Sequence, residues 1–134
     1  GYEYKHTLLW REIMMIVLPS RLKNTVVTYL HARRKLASQG FLVGGNWDYE
    51  QGYFDYLLEG SYKASYLRIP FYTCRGSIED KNGIIRIGNP YLLTLEDRIG
   101  IHKDEKGRRA GIPAHCVNWG LEVIEQAEEA LLGS

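Results

Sequence analysis

The sequence has few of the residues that usually assign a chemistry or a compartment to a protein. Its two cysteines, Cys74 and Cys116, lie far apart and form no CxxC or Cys/His ligand spacing, so neither a disulfide framework nor a zinc site is indicated. Two buried free thiols are expected, which fits a reducing cytoplasm. Walker, Rossmann and EF-hand motifs are missing as well. The residues therefore predict no metal, no cofactor and no catalytic set, and they favour a non-enzymatic protein.

An excess of charge of one sign and a long hydrophobic run are also missing. There are 17 basic and 16 acidic residues, for a formal net charge of +1, so no strong field attracts the chain to nucleic acid or to an anionic membrane. The longest apolar run spans six residues, 13–18, whereas a membrane span needs about 20 and a signal peptide roughly 7 to 15. We expect a cytoplasmic protein that neither binds membranes nor has nucleic acid as its main partner.

The length and the balance of residue types are those of one folded domain. The chain has 134 residues, of which 45% are hydrophobic and 25% charged, and domains of this size commonly form a single core. We predict one domain over residues 1–134. Residues 1–14 are a candidate N-terminal extension or tail.

Hydrophobic periodicity predicts an α+β fold with one helix near each end. The first helix is predicted over Asn24–Gln39, with Asn24 or Thr25 as its cap and Gly40 just beyond its end. The second is predicted from Pro113 or Ala114 to Leu132. Its predicted apolar stripe consists of Val117, Leu121, Ile124, Ala127 and Leu131, and its predicted outer face of Glu122, Glu125, Glu128 and Glu129.

Between the helices the sequence predicts a four-stranded antiparallel meander, or a five-stranded sheet if the segment Leu8–Leu18 adds a strand rather than a helical turn. The predicted strands are Phe41–Tyr49, Tyr53–Glu59, Lys63–Arg75 and Ile84–Leu95, the last one broken at Gly88-Asn89-Pro90. A three-residue loop ending at Gly52 would place Tyr49 opposite Tyr53 and Trp47 opposite Asp55. Pro70 cannot donate a ladder bond, so it predicts an edge, a bulge or a strand end.

One face of this sheet is predicted to be rich in tyrosine. Because side chains alternate along a strand, Leu67, Ile69 and Phe71 share one face while Arg68 and its tyrosine neighbours share the other. We expect Arg68 to form an ion pair with Asp55 on the adjoining strand. Tyrosine suits an interface or a shallow cleft as well as a core. The candidate binding residues are Trp47, Tyr49, Tyr53, Asp55, Tyr66, Arg68 and Arg86.

Three segments resemble the YugN-like family of small uncharacterised proteins from Bacillus and its relatives. They are Val43-Gly44-Gly45-Asn46-Trp47-Asp48-Tyr49, Gly52-Tyr53-Phe54-Asp55-Tyr56 and Leu67-Arg68-Ile69-Pro70-Phe71, and Asn89-Pro90-Tyr91-Leu92-Leu93 extends the match. The resemblance covers roughly residues 15–95. It implies a compact cytoplasmic protein of unassigned function and supplies no catalytic residues.

These observations leave three hypotheses of function. The first is an interaction module that uses its aromatic sheet face for a protein partner or for self-association as a homodimer. The second is a site for an anionic or aromatic small molecule, in which Arg68 and Arg86 hold the anion and tyrosines stack on the ring. The third and weakest is RNA binding through a set of basic residues. That set is Arg33, Arg34, Lys35, Arg108 and Arg109.

Overall fold

A computed structural model describes residues 3–7, 11–48, 50–60, 63–76, 83–97 and 112–133. Within these ranges the chain forms two helices and one antiparallel sheet of eight strands. The strands are β1 (Glu3–Thr7), β2 (Arg11–Val17), β3 (Val26–Thr28), β4 (Leu42–Asp48), β5 (Gln51–Gly60), β6 (Lys63–Arg75), β7 (Ile84–Ile87) and β8 (Tyr91–Asp97). The helices are α1 (Tyr29–Ala37) and α2 (Ala114–Leu132).

The predicted meander is confirmed in its order, but the sheet is larger than the predicted four or five strands. β4 pairs with β5 and β5 with β6, and the far side of β6 pairs first with β8 and then with β7. Three further strands extend this frame: β2 beside β8, β1 beside β2, and β3 beside β7. A strand as short as β3 shows too little alternation to be recognised from sequence, because its stability comes from pairing with a distant strand.

Pro70 lies where β6 changes partners. Arg68 pairs with Tyr91 in β8, whereas Phe71 pairs with Ile87 in β7. Proline has no backbone N–H. An interruption of the ladder at this residue therefore creates no unpaired donor. Its carbonyl accepts a 2.9 Å bond from the Gly88 amide. The edge, bulge or strand end expected at Pro70 is therefore a change of partner within a continuous strand β6, and it coincides with the break at 88–90.

Helix α1 is shorter than predicted. Asn24 has a φ of 68° and residues Val26–Thr28 form β3, so neither Asn24 nor Thr25 caps the helix. The cap is Thr28, whose hydroxyl accepts a 3.2 Å bond from the His31 amide. The β-branched run before it favours a strand over a first helical turn. Gly40, with a φ of 106°, supports the predicted left-handed turn after the helix. The buried residues of α1 are Tyr29, Ala32 and Leu36.

Helix α2 has the predicted bounds and buries most of the predicted stripe, including Ile124, Ala127 and Leu131, but it departs from the prediction at two positions. Leu121, predicted to be buried, is 42% exposed. Glu128, predicted to face water, accepts bonds of 2.8 Å from the Ser20 hydroxyl and 2.7 Å from the Arg21 amide. Gly120 lies so near β8 that a Cβ there would be 2.8 Å from Leu92. The buried residues of α2 are Cys116, Gly120, Val123, Ile124, Ala127 and Leu131.

Both helices pack on the same face of the sheet, which we call the covered face. Tyr29 of α1 lies 6.2 Å from Phe54 and 5.6 Å from Phe71, measured between ring centroids. The sheet residues buried there include Phe54, Leu67, Ile69, Phe71, Ile85, Ile87 and Leu92. Among the described helices, none has the length and apolar character needed to cross a membrane.

Candidate functional site

The other side of the sheet across β4–β7 and β3, which we call the open face, carries most of the predicted site residues. Strand register sets Asp55, Arg68 and Tyr91 side by side on β5, β6 and β8. Two residues further along β6, Pro70 lies opposite Tyr53. The next row consists of Gln51, Tyr72, Arg86 and Val26. The site is thus built from side chains that alternate with the buried ones on the same strands.

The predicted ion pair between Asp55 and Arg68 is confirmed and lies at the centre of this face. Arg68 donates through Nε to Oδ1 at 2.8 Å and through Nη2 to Oδ2 at 2.9 Å. The two side chains are 19% and 18% exposed. Burial alone would lower the pKa of Arg68, but the hydrogen bonds and charge of Asp55 raise it above its usual range. A two-point pair of this kind neutralises both groups, so Arg68 is not a free cation for an anionic ligand.

Two tyrosines enclose the guanidinium. The Arg68 Cζ lies 3.6 Å from the centroid of the Tyr53 ring, a stacked cation–π contact. On the other side, burial raises the pKa of Tyr91, and the neighbouring Arg68 charge offsets that rise only in part. Tyr91 was not among the predicted site residues. Tyr91 lies next to Arg68 because β6 pairs with β8, and a local sequence pattern does not predict that pairing.

The Tyr53 ring lies against Gly44 of strand β4, so the hairpin register differs from the predicted one. Tyr53 lies opposite Gly44 rather than Tyr49, and Asp55 lies opposite Leu42 rather than Trp47. The turn has two residues, since Asp48 pairs with Gln51, and the register shifts between Gly44 and Asp48. A Cβ on Gly44 would be 2.8 Å from the Tyr53 ring. A side chain at position 44 would therefore force the Tyr53 ring to shift, which explains a glycine where the ring crosses the strand.

The remaining predicted residues do not form one cluster. Tyr66 lies opposite Leu93, which is buried, so the open face ends at that point. Arg86 is exposed and pairs in register with Tyr72, at the opposite end of the face. The side chains of Trp47 and Tyr49 lie outside the described residues.

Large apolar side chains that the prediction missed lie on the open face, with Leu42 and Leu57 next to the ion pair and Val26 at the opposite end. Leu42 is 75% exposed, Val26 59% and Leu57 53%, and Tyr72 beside them is 45% exposed. An exposed apolar residue is ordinary when it stands alone, but a group on one face marks an interaction surface. The signal in the sequence was the alternation along each strand, which places Leu57 on the face of Asp55 and places Val26 on the opposite face from Val27, which packs against the core.

A shallow cleft of about 320 Å³ opens between Tyr53 and Tyr72. Its walls include Gln51, Tyr53, Arg68, Pro70, Tyr72 and Tyr91. No set of three or more metal-ligating side chains occurs anywhere in the described ranges. The thiols are free, and Cys116 is buried as predicted, but Cys74 is exposed, since its strand position faces solvent.

Comparison with known proteins agrees with the resemblance of the three segments. Residues 17–130 match the model of the YugN-like family. The chain is 30% identical over 133 residues to the uncharacterised protein YugN of Bacillus subtilis (strain 168), covering 88% of this chain and 99% of that protein. A crystal structure of the uncharacterised conserved protein YugN from Geobacillus kaustophilus HTA426 has a similar fold. Its TM-score is 0.67 at 22% identity, over 84% of this chain and 90% of that one.

Proposed function

Because the chain belongs to the YugN-like family, whose matched relatives are described without an activity, we propose a function from the geometry of the open face. The chain is a non-enzymatic interaction module of the cytoplasm, and its open face binds a second copy of itself. The observation that carries this proposal is the set of exposed apolar side chains on a face whose mostly buried ion pair is neutralised. The free thiols support the reducing compartment.

The charges on the open face favour an identical partner. In a two-fold symmetric interface the same surface meets itself, so unpaired charges near the axis repel each other. Asp55 and Arg68 cancel within each copy, which leaves the centre of the face without net charge. Two such faces can pack as two sheets do, with their apolar side chains in contact.

The size of the face predicts a weak dimer. Five neighbouring strands span roughly 19 Å at about 4.8 Å spacing, and the rows from Gln51 to Leu57 span roughly 20 Å at about 3.4 Å per residue. Because β3 and β7 are short and lie only at the Gln51 end, the flat area is below about 400 Å² for each copy, against about 800 Å² for each side of a stable standard interface. We therefore expect a dimer that forms only as the protein concentration rises.

Sedimentation velocity over a range of concentrations tests the proposal. The wild-type chain is expected to shift from monomer toward dimer as concentration increases, and Leu57→Asp to remain monomeric. Leu57 is 53% exposed, so a charge there leaves the fold intact while it opposes burial at an interface.

Leu121→Asp is the matched control, since Leu121 is an exposed leucine of helix α2, on the other layer of the molecule. It should dimerise like the wild type. A wild-type chain that remains monomeric at every concentration would remove the proposal, and so would a dimer that Leu57→Asp leaves unchanged.

A further inference from the structure

The cleft between Tyr53 and Tyr72 has walls that are held in place before any ligand binds. The Tyr53 ring is fixed between Gly44 and the Arg68 guanidinium. The Tyr72 ring lies over Gly88, where a Cβ would be 3.3 Å from Cε2 of the ring. Because these rings need little further ordering, a planar group entering between them avoids part of the entropy cost of binding.

A positive charge that a ligand could contact lies next to the Tyr72 wall of the cleft. The charge of Arg68 is neutralised by Asp55. Arg68 therefore contributes the surface of its side chain to the cleft rather than a free positive charge. Arg86 is exposed, and it forms no ion pair within the part of the chain that the structure describes. Arg86 is the direct cross-strand partner of Tyr72, and the Cβ atoms of such partners are about 5 Å apart. A free cation thus adjoins one aromatic wall of the cleft.

From this arrangement we propose that the cleft is a binding site for a small planar aromatic anion. The ring stacks on Tyr72 with Tyr53 at its side, and the negative group, attached directly to the ring, reaches Arg86, which adjoins Tyr72 but does not itself line the cleft. Pro70 forms the floor between the two walls. The volume of about 320 Å³ is at the lower end of the roughly 300–1,000 Å³ typical of small-molecule sites, so it accepts one or two fused rings rather than a larger cofactor.

This site does not depend on self-association, although it occupies the same face. Tyr72 serves both proposals, so a bound aromatic anion and a second copy of the chain compete for it. Leu57 does not line the cleft. The variant Leu57→Asp therefore removes the dimer contact and leaves the cleft intact.

Titration with naphthalene-1-sulfonate, followed by amide chemical shifts in NMR, tests the site, with 1-naphthalenemethanol as the uncharged probe. We expect both probes to shift the amides of Gly52, Tyr53, Tyr72 and Gly88. The sulfonate should bind about threefold to fivefold more tightly than the alcohol, the range expected for an exposed charge contact. In Arg86→Gln that preference is lost, while the alcohol binds as before.

Two variants complete the design. Arg33→Gln, which removes an exposed cation of helix α1, should leave the preference unchanged. Tyr72→Ala should weaken both probes about fivefold, because it removes a stacking wall. Shifts spread over the whole surface, equal affinity of the two wild-type probes, or a preference that survives Arg86→Gln would each overturn the proposal. Repeating the titration in Leu57→Asp gives the same result if the site is independent of the dimer.

Discussion

At the scale of single residues, the ion pair between Asp55 and Arg68 shows how far the sequence determines a site. Alternation along two adjoining strands was sufficient to predict that the pair would form. It was not sufficient to place the Tyr53 ring against Gly44, because the register of β4 against β5 shifts between Gly44 and Asp48. Sequence patterns give the face of a side chain, whereas register and bulges decide which neighbour it touches.

This geometry predicts that the pair is coupled. Arg68→Met leaves a mostly buried carboxylate without its partner and should lower the free energy of unfolding by about 1–3 kcal/mol. Asp55→Asn should cost a similar amount, because it leaves the guanidinium unpaired. The double variant should cost clearly less than the sum of the two. Urea unfolding of the four proteins measures this cycle.

A second pair in the same chain, whose arginine is exposed, provides the control for that cycle. Arg21 lies 3.8 Å from Glu128, and its side chain is 68% exposed. Arg21→Met should change the free energy of unfolding by less than about 1 kcal/mol. Additive effects of the Asp55 and Arg68 substitutions would contradict the coupling.

At the scale of elements, prediction succeeded where local signals agreed and failed where a distant partner decided. Strand β6 and helix α2 have the predicted bounds, because each carries a long and regular hydrophobic pattern. The start of α1 was wrong. Residues Val26–Thr28 pair with β7, whose sequence lies far along the chain, and that pairing overrides the helical spacing of the same residues.

The corrected start of α1 predicts which threonine stabilises the helix. Thr28→Ala removes the hydroxyl that accepts the His31 amide and should lower the free energy of unfolding by about 1 kcal/mol. Thr28→Ser keeps an acceptor and should restore most of the loss. Thr25→Ala is the control, since its hydroxyl makes only a 3.4 Å bond to the Arg21 carbonyl. Thermal unfolding in circular dichroism compares the three variants. A larger loss of stability for Thr25→Ala than for Thr28→Ala would contradict Thr28 as the cap and support Thr25.

At the scale of the whole molecule, the decisive feature is that both described helices lie on one face of the sheet. The sequence predicted two helices and a tyrosine-rich face, but it did not say whether that face was core, interface or cleft. The position of Phe54 and Phe71 under Tyr29 identifies the core side. The tyrosines on the other face, together with Leu42, Leu57 and Val26, then form the surface for which we propose binding.

If the chain self-associates through that surface as proposed, assembly is coupled to folding of the entire chain. A dimer that forms only from folded chains is stabilised by mass action, so its unfolding temperature rises with protein concentration. A tenfold increase in concentration adds about 1.4 kcal/mol per dimer, or about 0.7 kcal/mol per chain. For a domain of this size that corresponds to roughly 2–4 °C. Differential scanning calorimetry should show this shift for the wild type and for Leu121→Asp once the dimer is populated, and no shift for Leu57→Asp. An unfolding temperature independent of concentration in all three would mean that the apolar side chains of the open face do not hold two copies together.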